Sequence, residues 1–266
     1  MMEFSTISFK EVEPNIGLVI LNRPEQLNAI NVAMLTEFAA LFDYLSQNDK
    51  IRVVVITGEG RGFCAGADLT DAINFKDTEA FSGPESFLRI AQERYSALIL
   101  GLRKIPQPII AAVNGPAAGG GFAVALASDV RLASPEAYFV ASFINIGLSG
   151  GELGCSYFLP RLVGLSHAAD ILYTGRKVKA DEAERIGLVS RVVPRQELME
   201  TALSYARIML GKSTGGLRLT KRVLDQNIDA PSLEAAVNLE NRNQSIMVFS
   251  GEFLKLVEPF SKGSKG

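Results

Sequence analysis

Two glycine-centred segments hold the groups most able to do chemistry, and in both the groups are main-chain amides. In the first, the apolar run Ile109 to Val113 ends at Asn114-Gly115-Pro116, and Gly119-Gly120-Gly121 then opens a small-residue, helix-prone stretch to Ala127. The first turn of a helix has no internal acceptors, so its N–H groups are free for another partner. They lie at the positive end of the helix dipole and suit a phosphate, a carboxylate, or an oxygen that turns negative during reaction. The second segment, Ala65-Gly66-Ala67-Asp68, also follows an apolar strand and opens a helix. If the two strands are neighbours, both loops emerge on one sheet edge, and one N–H from each can converge on a single carbonyl oxygen. A second reading stands beside this one: glycines simply let a helix pack closely on its strand.

Other chemistries find little support. The single histidine, His167, lies at a helix start in Gly164-Leu-Ser-His-Ala-Ala-Asp170, where exposure is expected and a Ser-His-Asp triad is disfavoured. One histidine and two separated cysteines, Cys64 and Cys155, leave no zinc ligand set and no disulfide framework. No metal is expected. Cys155 reads as a small apolar filler and Tyr157 as a core residue. The 27 basic and 29 acidic residues give a formal charge of −2, which argues against a nucleic-acid partner. No stretch has the length and apolarity of a membrane span, and no secretory leader is evident, so the cytoplasm is the expected setting. At 266 residues and 47% hydrophobic, the chain has ample material for a core.

These groups must be held by an α/β framework. Strands are expected over 4–9, 16–21, 51–57, 109–113, 129–133, 138–141 and 188–193 from alternating or continuous apolar runs. Helices are expected over 33–46, 87–103, 156–163, 167–173, 180–186, 197–210, 217–226 and 233–249. The polar stretch 70–87, with Gly83-Pro84, reads as irregular and mobile. Strands alternate with helices through two thirds of the chain, and helices dominate the rest.

The pattern as a whole resembles the crotonase, or enoyl-CoA hydratase/isomerase, family. The matching segments are Leu21-Asn22-Arg23-Pro24, Leu27-Asn28-Ala29, Val53 to Gly58, Phe63 to Leu69, Pro108 to Gly115, Gly119-Gly120-Gly121 and Leu159-Pro160-Arg161. Thr174-Gly175, Ala180, Ala183 and Gly187-Leu-Val189 match as well. The resemblance implies a spiral of ββα turns over 1–195, with a helical C-terminal region over 196–266 belonging to the same folding unit. That region would hold a homotrimer or a dimer of trimers. The implied ligand is an acyl-CoA thioester, so coenzyme A enters with the substrate and no separate cofactor is needed. The oxyanion donors fall on the N–H groups of Ala67 and Gly120. Ala65, Asp68 and Leu69 would lie by the adenine, and Arg23, Leu27 and Ala29 along the phosphates and pantetheine arm. Phe260 and Lys262 would reach the nucleotide of a neighbouring subunit.

The chain also departs from the family. Its hydratases use two glutamates to place one water, and those positions here are Ala123 and Phe143. Neither side chain can move a proton or orient water. Phe143 with Phe122 implies an apolar acyl site. Glu152, in a loop that borders the acyl pocket in family members, is the nearest acid. It is either the group that moves a proton alpha or gamma to the thioester, or the end of a Ser149–Glu152 capping box opening a helix at Leu153. The expected activity is double-bond isomerisation or a related proton shift through an enolate. The alternative is an acyl-CoA-binding protein without catalytic activity.

Overall fold

The computed structural model describes residues 4–70 and 78–262, and side chains through 259. Its main sheet has six strands in the order β1-β2-β3-β4-β6-β9. These are β1 (Ile7–Glu13), β2 (Ile16–Leu21), β3 (Val53–Gly58), β4 (Ile109–Val113), β6 (Val130–Ala133) and β9 (Arg191–Val192). β1 and β2 form an antiparallel hairpin, and every later pairing is parallel. A smaller sheet joins β5 (Ala117–Ala118), β7 (Tyr138–Val140) and β8 (Val178–Lys179).

β4 is apolar throughout and β3 is apolar as far as Ile56, because both faces are covered. Val54 and Ile56 of β3, with Ile109, Ala111 and Val113 of β4, join the larger core cluster. The alternate residues Val53, Val55, Ile110 and Ala112 join a second cluster on the opposite face. This is the two-sided burial expected of parallel strands. The first face is covered by three helices: α1 (Val32–Gln47), α3 (Glu93–Lys104) and α4 (Gly120–Ala127). The helix α2 (Pro84–Phe87) lies just ahead of α3. α1 is capped by the Asn31 side chain, which accepts from the Met34 N–H at 2.9 Å. It buries Met34, Leu35, Phe38, Leu41 and Leu45 at helical spacing. The second face is covered by α7 (Arg195–Leu210) through Leu198, Ala202, Leu203 and Ala206.

Between these come α5 (Cys155–Thr174), which contains a break at Gly164 (φ 78°, ψ 160°), and α6 (Ala180–Arg185). The two short helices expected over 156–173 are therefore present and abut at Gly164. After α7 come α8 (Thr214–Asn227), α9 (Leu233–Val248) and α10 (Glu252–Lys262).

Three expectations need correction. The first strand runs from Ile7 to Glu13 rather than 4–9, because its register pairs Ile7 with Leu21 and the turn falls at Asn15 (φ 70°). As the sheet's edge it tolerates the half-buried to exposed Phe9, Lys10 and Glu11. Within the stretch read as irregular, residues 71–77 lie outside the described residues. Pro84 opens a helical course through α2, a π-helical turn (Leu88–Gln92) and α3. Proline fits the first helical position, where its missing N–H costs nothing. The sequence reading also lacked α10, whose Pro259 and glycine-rich end mimic a tail.

Candidate active site

The loop between β3 and residue 70 is shaped by buried amides. Asn114, just past β4, donates from Nδ2 to the carbonyls of Gly58 (2.9 Å), Gly60 (3.1 Å) and Gly62 (3.3 Å). Asn28 Nδ2 donates to the carbonyls of Glu59, Gly62 and Phe63. Beyond this loop Ile30 and Ala67 form a single parallel bridge. The Ile30 N–H donates to the Gly66 carbonyl at 2.7 Å, and the Asp68 N–H donates to the Ile30 carbonyl at 2.9 Å. In this alternation the Ala67 N–H faces away from Ile30. Among the described residues it has no acceptor.

The second loop meets the first directly. The Cys64 and Phe63 N–H groups donate to the Pro116 carbonyl, and the Ala118 N–H to the Cys64 carbonyl. Gly119 donates to the Val140 carbonyl. Gly120, the first residue of α4, has no acceptor for its N–H among the described residues. Gly66 sits at φ +94°, and a Cβ there would lie 2.7 Å from the Ala118 oxygen and 3.1 Å from the Gly120 nitrogen. A Cβ on Gly121 would overlap the Cys64 carbonyl. Both readings of the triplet therefore have a residue: Gly121 permits close packing, and Gly120 presents a bare N–H at the positive end of a buried helix.

These two loops border one cavity of about 660 Å³. Ala65, Ala67, Leu69, Gly120, Phe143 and Glu152 all line it, so six of the residues singled out from sequence come together there. Its other walls include Leu35, Phe81, Phe87, Gln92, Tyr95, Ser142 and Leu148. Among the described lining residues Glu152 is the one carboxylate and Arg94 the one cationic side chain. The expected capping box does not form. The Ser149 hydroxyl accepts from Gly151 N–H at 3.2 Å, α5 starts at Cys155, and its cap is Gly154 in the left-handed region (φ 79°). Glu152 instead accepts from Gln92 Nε2 and, at 3.2 Å, from the Leu153 N–H, both on Oε1. Oε2 has no hydrogen-bond partner among the described residues.

Other expected ligand contacts lie elsewhere. Arg23 bonds the Ala29 carbonyl and pairs with Asp68 at 2.8 Å, the two side chains being 17% and 12% exposed. Burial pushes the Asp68 carboxyl up, but the Arg23 hydrogen bond, the Thr70 N–H and the Arg23 charge together hold it below the usual range. Arg23, Ala29 and Asp68 thus brace the back of the Ala65–Asp68 loop, off the cavity wall. Leu27, left-handed at φ 50°, accepts the Ala65 N–H through its carbonyl and is also off the wall. Phe122 is not part of the wall. It is fully buried against Phe139, because two residues past Gly120 a helical side chain points to the opposite side. Phe260 and Lys262 fall in α10, with side chains outside the described set.

Cys64 and Cys155 are fully buried, and desolvation pushes each thiol up to about 12, which makes them inert packing groups. Tyr157 corrects the sequence reading: it is half-buried, not core, with its hydroxyl on Asp229 and Arg161 stacked 3.8 Å over its ring. Gln92, Tyr95 and Asn114 were missed. Asn114, a polar residue ending a five-residue apolar run, was the one with a visible signal. Among the described residues no cluster of His, Cys, Asp or Glu has the makings of a metal site, and no helix is long and apolar enough to cross a membrane.

Comparison with known proteins identifies the family. The family model for enoyl-CoA hydratase/isomerase matches residues 11–257. A relative from Mycobacterium bovis named probable enoyl-CoA hydratase is 46% identical, over 90% of this chain and 85% of its own length. The 1,2-epoxyphenylacetyl-CoA isomerase of Escherichia coli is 35% identical, over 98% of this chain and 96% of its own. The crystal structure of a monofunctional enoyl-CoA isomerase from M. smegmatis superposes with a TM-score of 0.74 at 42% identity, covering 87% of this chain and 98% of that one. Fold and kinship agree: the chain is an enzyme of the crotonase fold and belongs to the enoyl-CoA hydratase/isomerase family.

Proposed function

We propose that the protein shifts a proton on an acyl-CoA thioester, moving a double bond through an enolate. The observation that carries this reading is the pair of unpartnered N–H groups at Ala67 and Gly120 bordering a cavity whose one described carboxylate is Glu152. The thioester oxygen would lie between the two amides. Glu152 Oε2 takes a proton alpha or gamma to the carbonyl, and the C–H electron pair moves into the enolate as the oxygen becomes negative. The carboxyl exchanges its proton with solvent and returns one to the other carbon, so the step needs no net water, metal or redox partner. Each amide donor contributes about 3 kcal/mol when aimed at such an oxygen. Hydration by a glutamate pair is disfavoured because Ala123 is buried without a carboxylate and Phe143 presents a ring to the cavity. Two relatives carry isomerase names, one for 1,2-epoxyphenylacetyl-CoA and one for enoyl-CoA.

The proposal includes self-association as a trimer or dimer of trimers. Its support is the apolar exposure of the C-terminal helices, with Leu233 81% and Phe249 90% exposed.

The test incubates the protein with enoyl- and dienoyl-CoA esters in deuterated water. Deuterium entering the acyl chain is expected, and Glu152→Gln should slow it by ~100-fold or more. Accumulation of a hydroxyacyl-CoA product would instead make the protein a hydratase, and tight binding with neither exchange nor a shifted double bond would overturn the chemistry.

A further inference from the structure

The helical course that walls the cavity is interrupted by the π-helical turn Leu88–Gln92, lying between α2 and α3. A π turn adds one residue per turn and so re-aims the side chains around it, and such turns recur at functional sites. Gln92, its last residue, is half-buried, lines the cavity and donates from Nε2 to Glu152 Oε1. The Leu153 N–H donates to the same oxygen. One carboxylate oxygen is thus held from two sides, while Oε2 is left for chemistry.

We infer that Gln92 is a positioning residue for Glu152, an inference that rests on the proton-shift reading above. A carboxylate on a flexible stem must be held in one rotamer to reach a carbon acid, and two donors on a single oxygen fix that rotamer. A merely structural contact would hold the wall together but leave the aim of the reacting oxygen unchanged, so a fall in kcat at constant KM separates the two.

The experiment compares wild type, Gln92→Leu, Gln92→Glu and Glu152→Gln in the deuterium-exchange assay, with thermal melts to confirm folding. Gln92→Leu removes the donor at similar size. It should lower kcat by ~10-fold or more with little change in KM. Gln92→Glu is isosteric but sets an acceptor against Glu152 in place of the donor, so kcat should fall at least as far, again at near-constant KM. If Glu152→Gln is inactive while both folded Gln92 variants keep wild-type kcat, the role of Gln92 is overturned and that of Glu152 stands. If Glu152→Gln keeps full exchange, both fall.

Discussion

Gly66 is the residue on which the geometry of the two loops turns. It occupies φ +94°, and any side chain would press on the Ala118 carbonyl and the Gly120 nitrogen. Gly66→Ala should therefore destabilise the protein by about 2–4 kcal/mol, the combined cost of a left-handed backbone and a close backbone contact. It should also cut exchange activity well beyond what the lost stability explains, because the Ala67 and Gly120 loops must move apart. Urea unfolding together with the deuterium assay checks both parts. At this scale the sequence was informative about backbone: the two glycine-centred loops were legible as sources of bare amides, while the choice of Ala67 and Gly120 within them came from the family resemblance. Side-chain roles were harder to read. Arg23, placed along the phosphates by resemblance, pairs with Asp68 and bonds the Ala29 carbonyl. Gln92 gave no signal at all, since its partner lies 60 residues away in sequence.

Among the elements, the attachment of β1 to α1 is the clearest long-range clamp outside the site. Glu37 on α1 accepts from the N–H groups of Ser5 (2.8 Å), Thr6 (2.9 Å) and Ile7 (3.1 Å) and from both hydroxyls. Burial raises its carboxyl, and the hydrogen bonds from Ser5 and Thr6 more than offset that, so the folded group titrates below the usual range. Stability from this clamp is therefore fully present above the unfolded value, ~4.3, and is lost as pH falls through the folded one. Glu37→Gln should cost about 1–2 kcal/mol at pH 7, toward the lower end because the carboxylate is partly wet. The deficit should shrink in melts run near pH 3. Core-facing helices such as α1 and α7 were legible because their apolar spacing repeats. The C-terminal helix α10 was not, since Pro259 and the closing glycines imitate a disordered end. The first strand was misplaced because its limits follow pairing with β2 rather than its own composition.

For the molecule as a whole, apolar surface is concentrated in the C-terminal helices. Leu233, Ile246, Phe249 and Leu254 are exposed there, and isolated monomers rarely leave so much of one region bare. Light scattering should give a mass of three or six times 28.7 kDa, and Phe249→Glu should shift the protein toward monomer. The α/β class and the order of most elements were readable from strands alternating with helices, whereas the packing of the last helices against one another was not. The Ile30–Ala67 bridge has a further consequence for how such a chain can change over time. The donor at position 67 belongs to the main chain, so any amino acid except proline supplies it. On the proposed chemistry, what cannot vary is the count of residues between Gly66 and Asp68: a single insertion would reverse which amide looks inward, and activity should be lost with the core intact. Spelling at that site is free, while length is not.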